Sequence, residues 1–137
     1  MADIESGHIS LDDLIGDADS SLRVALSKAK GYKNSGELSK ALNFLLDISK
    51  RYPKEKSVFI LLGHLYWQQN DLEHARSCFK KATELDPMLE IASLALYHTR
   101  WASGQKESAL EEMKRFVQIS HSPEYDRILQ AFRNEKA

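Results

Sequence analysis

Cysteine is all but absent: Cys78 stands alone in 137 residues, so no internal disulfide can form and a reducing compartment is the default. Long apolar runs are missing as well. No stretch approaches the roughly 18 residues of a spanning helix, and the start Met1-Ala2-Asp3-Ile4-Glu5 lacks the basic region of a secretory leader. A cytoplasmic protein with no membrane partner is therefore expected. Nor is there an excess of one charge. With 19 Lys+Arg against 20 Asp+Glu the net charge is -1, which argues against the broad basic field that nucleic-acid binding needs. Proline occurs three times and glycine six, too few for a collagenous or low-complexity chain. A chain of this length is one domain, able to bury about two thirds of its unfolded surface.

The charge that is present is unevenly placed. Residues 1–19 carry Asp3, Glu5, Asp12, Asp13, Asp17 and Asp19 and no Lys or Arg, which leaves 14 acidic against all 19 basic residues in 20–137. The chain divides into an acidic arm, 1–19, and a basic body, 20–137.

Within the body, residue types return every 34 positions. Gly36, Asn70 and Gly104 share that spacing, and Gly and Asn tolerate the positive φ at which a helix ends and the chain reverses. Ala41, Ala75 and Ala109 follow, small residues that let two helices approach, each with a bulkier Leu45, Phe79 or Met113 four positions on. Pro53 and Pro87 close two of the units. The pattern predicts helices over 20–34, 37–51, 55–69, 72–85, 88–102, 105–119 and 123–134, with connections so short that neighbours run antiparallel. No β-type alternation competes.

Residues 56–89 resemble the tetratricopeptide repeat. Phe59 stands where that family often has Trp, and Leu62, Gly63, Tyr66, Ala75, Phe79, Ala82 and Pro87 match its W-x2-L-G-x2-Y…A-x3-F…A…P spacing. The flanking units match less fully. Residues 22–55 keep Ala29, Tyr32, Gly36, Ala41 and Pro53, and residues 90–123 keep Leu96, Gly104 and Ala109, with Tyr97 in the place of the small residue and Arg100 in the place of Tyr66. Ser122-Pro123-Glu124 opens a last segment whose Ile128, Leu129 and Phe132 form one stripe, as suits a capping helix at 123–135. The resemblance implies an all-α fold, a right-handed superhelix of three helical hairpins closed by that cap.

On a helix turning about 100° per residue, positions 2, 5, 9 and 12 of each unit face away from the positions that pack the hairpin. They read Arg23, Leu26, Lys30 and Lys33 in the first unit, Ser57, Ile60, His64 and Trp67 in the second, and Ile91, Leu94, His98 and Trp101 in the third. Two units thus repeat an aliphatic, His, Trp order on a face the hairpin does not require to be apolar. In the tetratricopeptide repeat family this face lines the groove that receives a partner peptide or helix, which implies a partner-binding role for Arg23, Leu26, Lys30, Lys33, Ile60, His64, Trp67, Ile91, Leu94, His98 and Trp101. Tryptophan is the residue type most enriched among binding hot spots. The alternative is that both tryptophans pack on neighbouring helices or on the cap, and that Arg23, Lys30 and Lys33 are solvated surface.

Other chemistry finds little support. A clamp for a C-terminal carboxylate, known in the family, is disfavoured because Leu26, Leu61, Ile91 and Ala95 occupy much of its pattern. His64 and His98 fall short of the four ligands of a structural zinc site, so no metal and no cofactor is expected. Cys78, before Lys80 and Lys81, reads as filler rather than as a reactive thiol. No phosphate loop, H-E-x-x-H or nucleophile elbow is present, so no enzyme is expected. The function expected is a protein-interaction module, adaptor or small chaperone, for a protein or peptide partner. Self-association through the same face is the structural alternative, and the length also resembles the small chaperones of bacterial secretion systems. In the arm, Ser10 and Asp13 form a capping signal ahead of Gly16, with Leu11, Leu14 and Ile15 on one side and Asp12 and Asp13 on the other. It is expected either to dock in the groove as a short helix, or to be a free tail or a cap on the first hairpin.

Overall fold

The computed structural model describes residues 20–136; the arm at 1–19, with its expected turns, lies outside the described residues. Seven helices follow one another: α1 (Ser20–Asn34), α2 (Leu38–Arg51), α3 (Lys56–Gln68), α4 (Leu72–Leu85), α5 (Glu90–Ala102), α6 (Lys106–Ile119) and α7 (Pro123–Lys136). The expected all-α solenoid of helical hairpins with a C-terminal cap is the architecture present. Expected and observed helix ends differ by two residues at most. The start of α5 moves from 88 to Glu90 because Asp86 holds the turn, its carboxylate accepting from the Met88 N–H at 3.2 Å and its carbonyl from the Leu89 N–H at 3.2 Å.

The hairpin turns repeat one geometry. Gly36, Asn70 and Gly104 have φ of 82°, 59° and 81°. At each, the residue's own N–H reaches back three positions, to Lys33, Trp67 and Trp101 respectively. The next N–H, of Glu37, Asp71 or Gln105, reaches back five, to Tyr32, Tyr66 and Arg100 at 2.8–2.9 Å. This is the Schellman closure, and it uses carbonyls that a helix end would otherwise leave unpaired. Asp71 also caps α4, accepting from the His74 backbone N–H at 3.2 Å.

Main helix contacts run between consecutive helices, as a row of hairpins requires. In the middle hairpin Gly63 allows α3 to lie against α4: a Cβ there would meet ring carbons of Phe79 at 2.6–2.8 Å. Lys56 and Asp86, at opposite ends of the hairpin's sequence, pair at 2.6 Å. The buried residues fall into two clusters. One runs from Leu22 to Leu96 through Leu45, Ile60 and Phe79. The other begins at Tyr97 and gathers Ala109, Met113, Phe116 and Tyr125. The break falls at the position where a tyrosine replaces the small residue of the middle unit. Tyr97 meets the ring of Tyr125 edge-on at 5.7 Å, so α7 contributes to the core of the third hairpin. Among the described residues no helix is long and apolar enough to cross a membrane.

Candidate functional site

The first helices α1, α3 and α5 carry the face singled out by the sequence. On α1, Arg23, Lys30 and Lys33 are half-buried and Leu26 is fully buried. On α3, Ser57 and Ile60 are fully buried, His64 is 6% exposed and Trp67 is half-buried. On α5, Ile91, Leu94, His98 and Trp101 are all half-buried. Within this stripe Leu26, Ile60 and His64 are thus buried. Leu26 and Ile60 belong to the main core cluster, and α3 is buried on every side between Ser57 and Tyr66 except at Phe59.

The two tryptophans have different surroundings. Trp67 packs on the main cluster. Trp101 stacks on Tyr97 with ring centroids 5.9 Å apart and meets Phe132 of α7 at 5.6 Å, with the Lys106 ammonium 5.2 Å from its ring. For Trp101 the alternative weighed above, packing on the capping helix, describes its contacts. His98 lies edge-on to Tyr97 at 5.2 Å, and burial lowers its pKa from the ordinary 6.5 against an opposing pull from Glu124.

Between α1, α2 and α3 opens a small crevice with an apolar floor of Ala29, Leu45, Leu61 and Leu65 and a rim of Lys30 and Lys33. The floor is nearly closed, each of its four residues being at most 5% exposed, while the ammonium groups of the rim suit a neighbouring carboxylate. Cys78 is not reactive in this setting: burial pushes its thiol up to about 12, with the Asp71 carboxylate adding to the rise, and Lys80 and Lys81 do not reverse it. Among the described residues no three His, Cys, Asp or Glu side chains gather as a metal site would need.

One polar cluster escaped the sequence reading. Glu112 of α6 is 5% exposed, accepts from the Ser93 hydroxyl of α5 at 2.7 Å, and is clasped by Arg115 at 2.6 and 2.9 Å. Ser93 also lies 2.7 Å from the Tyr125 hydroxyl of α7, and Arg115 donates to the Pro87 carbonyl at 2.9 Å. Burial holds the Tyr125 phenol above its ordinary range, so it stays a neutral hydrogen-bonding group. The signal was available in the spacing of Ala109, Glu112, Met113 and Phe116, which places Glu112 on the buried face of α6. The cluster joins α5, α6 and α7 and is structural.

Residues 57–87, which span α3, α4 and the turns around them, match the tetratricopeptide repeat family. The chain carries a tetratricopeptide repeat. Two solved structures of tetratricopeptide repeat proteins share its fold. An arginine-to-glutamate mutant of MamA is 21% identical with a TM-score of 0.64, over 82% of this chain and 81% of that one. PilF of Pseudomonas aeruginosa is 17% identical with a TM-score of 0.65, over 92% of this chain and 60% of that one, so this chain spans only part of PilF. No curated protein matches the chain in sequence. Within the tetratricopeptide repeat solenoid, α1, α3 and α5 are the first helices of the three hairpins. The family supports a protein-interaction module, typically without catalysis.

Proposed function

We propose that the chain captures a peptide or helix of a partner protein on the front of α1, α3 and α5, as an adaptor or small chaperone. The observation that carries this reading is the crevice of Ala29, Leu45, Leu61 and Leu65 beneath Lys30 and Lys33, with half-buried Trp67 on the adjoining first helix. The half-buried Trp67 gives apolar area for a partner to cover, and the lysines select a segment with acidic flanks. Of the tryptophans, Trp67 is the better anchor, because Trp101 is already engaged by Phe132. The lone cysteine fits work in a reducing compartment such as the cytoplasm.

The test compares two charge or polarity changes on opposite parts of the surface. Lys30→Glu with Lys33→Glu should lose a partner that the unaltered chain retains from a native extract. Leu110→Ser with Val117→Ser, at exposed sites on α6, should retain it. The reverse pattern would move the binding surface to α6. Self-association through the same face is the competing occupant, and a mass that stays monomeric across a wide concentration range removes it.

A further inference from the structure

α7 closes the row, yet little holds it there. Each earlier helix buries three or more residues, whereas Tyr125 is the one buried side chain among those described in α7. Helices α1 to α6 each lie backbone against backbone with the next, while the α7 backbone stands off from the others, so side chains make the joint. Those side chains form a stripe at i, i+3, i+4 and i+7: Tyr125, Ile128, Leu129 and Phe132. Tyr125 meets Tyr97 and Phe116 with ring centroids 5.7 and 5.8 Å apart, and Phe132 meets Trp101 at 5.6 Å. Among the described residues a single hydrogen bond crosses from α7 to the hairpins, between the hydroxyls of Tyr125 and Ser93 at 2.7 Å. The Ser93 proton goes to Glu112, so Tyr125 is the donor.

That bond can break without stranding a charge. Glu112 keeps Ser93 and two nitrogens of Arg115, and Arg115 keeps the Pro87 carbonyl. The Tyr125 hydroxyl passes to water, so no buried donor is left unpaired on the hairpin. The connector suits such a movement. Ser120 ends α6 in an extended conformation, and Pro123 at the start of α7 keeps the two from fusing into one helix. The first hydrogen-bonded amides of α7, of Tyr125 and Asp126, bond to Ser122 and travel with it. We propose that α7 is a releasable lid, which lifts as one unit while α1–α6 stay folded and uncovers a face of Leu94, Tyr97, Trp101, Met113 and Phe116 for a partner helix that carries the stripe of α7. The seated α7 defines that occupant: an aromatic residue, aliphatic residues three and four positions on, and a second aromatic at seven. The inference deepens the groove reading and rests on it, since Leu94 and Trp101 belong to the front of α5 and release of Phe132 hands Trp101 to the partner.

The experiment uses the full-length chain. In native-state hydrogen exchange the amides from Asp126 to Arg133 should exchange together, about tenfold or more faster than those of α4 and α6. A labelled peptide of residues 121–137 then probes the uncovered face. Only the open fraction can bind it, so apparent affinity follows that fraction, and Phe132→Ala in the chain should tighten uptake about tenfold. Tyr125→Phe, which deletes only the crossing bond, should tighten it about threefold. The peptide that itself carries Phe132→Ala should not bind. Exchange in α7 as slow as in α6, a gradient that merely frays from the C-terminus, or no uptake by either variant overturns the proposal. Loss of protection throughout α1–α6 in both variants overturns it as well, since α7 is then part of the core. A concentration-dependent dimer that Phe132→Ala dissolves overturns it in favour of α7 exchange between two copies. If α7 does not open while Lys30→Glu with Lys33→Glu still loses the partner, the groove reading stands alone; if α7 opens and the peptide binds but those changes leave partner retention intact, the lid stands and the groove reading falls.

Discussion

Gly63 shows how one residue sets the spacing of a hairpin. A Cβ at that position would sit 2.6 Å from a ring carbon of Phe79, and an aromatic ring at the centre of a packed cluster cannot swing aside as a flexible chain end does. Gly63→Ala should therefore destabilise the chain by about 1–3 kcal/mol through overpacking, despite alanine's better helix propensity; a urea midpoint at or above that of the unaltered chain would contradict this. His98 is the residue whose protonation couples to folding. Burial lowers its pKa from 6.5, so the unfolded chain binds the proton more readily than the folded one. Stability from this group is full above about pH 6.5 and declines as the pH falls, until the folded imidazole protonates as well. Thermal midpoints between about pH 7.5 and 5.5 should fall less steeply for His98→Asn than for the unaltered chain, and parallel slopes would refute the assignment. At this scale the sequence was most informative where the backbone demanded a particular residue. Gly36, Asn70 and Gly104 were legible because positive φ is affordable to few side chains, and all three adopt it.

Among the elements, helices announced by 34-residue spacing and by turn chemistry were legible to within two residues, and so was the stripe that makes α7 a cap. Two features of the packing were not. Leu26 and Ile60 are buried in the main cluster and His64 is 6% exposed, whereas a helical wheel records direction only, without the neighbour. The carboxylate of Glu112 was overlooked because charged side chains are seldom buried unless paired, and its partner Ser93, which in turn meets Tyr125, comes from a helix that the sequence alone does not bring to it. Glu112→Ala should cost about 1–3 kcal/mol, since the Ser93 hydroxyl loses a buried acceptor while the part-exposed Arg115 regains water. Urea unfolding measures it. A loss below about 0.5 kcal/mol would mean that the cluster does not tie α7 to the third hairpin.

For the whole molecule, the basic body places Arg23, Lys30 and Lys33 on the first helix of the row. A tetratricopeptide repeat solenoid presents first helices side by side, and here they join a basic rim, an apolar crevice and a half-buried tryptophan on adjacent elements. The partner's identity was never legible, because recognition by area and charge specifies a class of segment and leaves its owner open. The central claim, that this front surface receives a partner protein, is tested most directly by placing a photo-crosslinking side chain singly at Lys30, His98, Leu110 or Val117 in the full-length chain and irradiating it in native extract. The account predicts one partner adduct shared by Lys30 and His98 and absent from Leu110 and Val117. Adducts confined to the two α6 positions would contradict it.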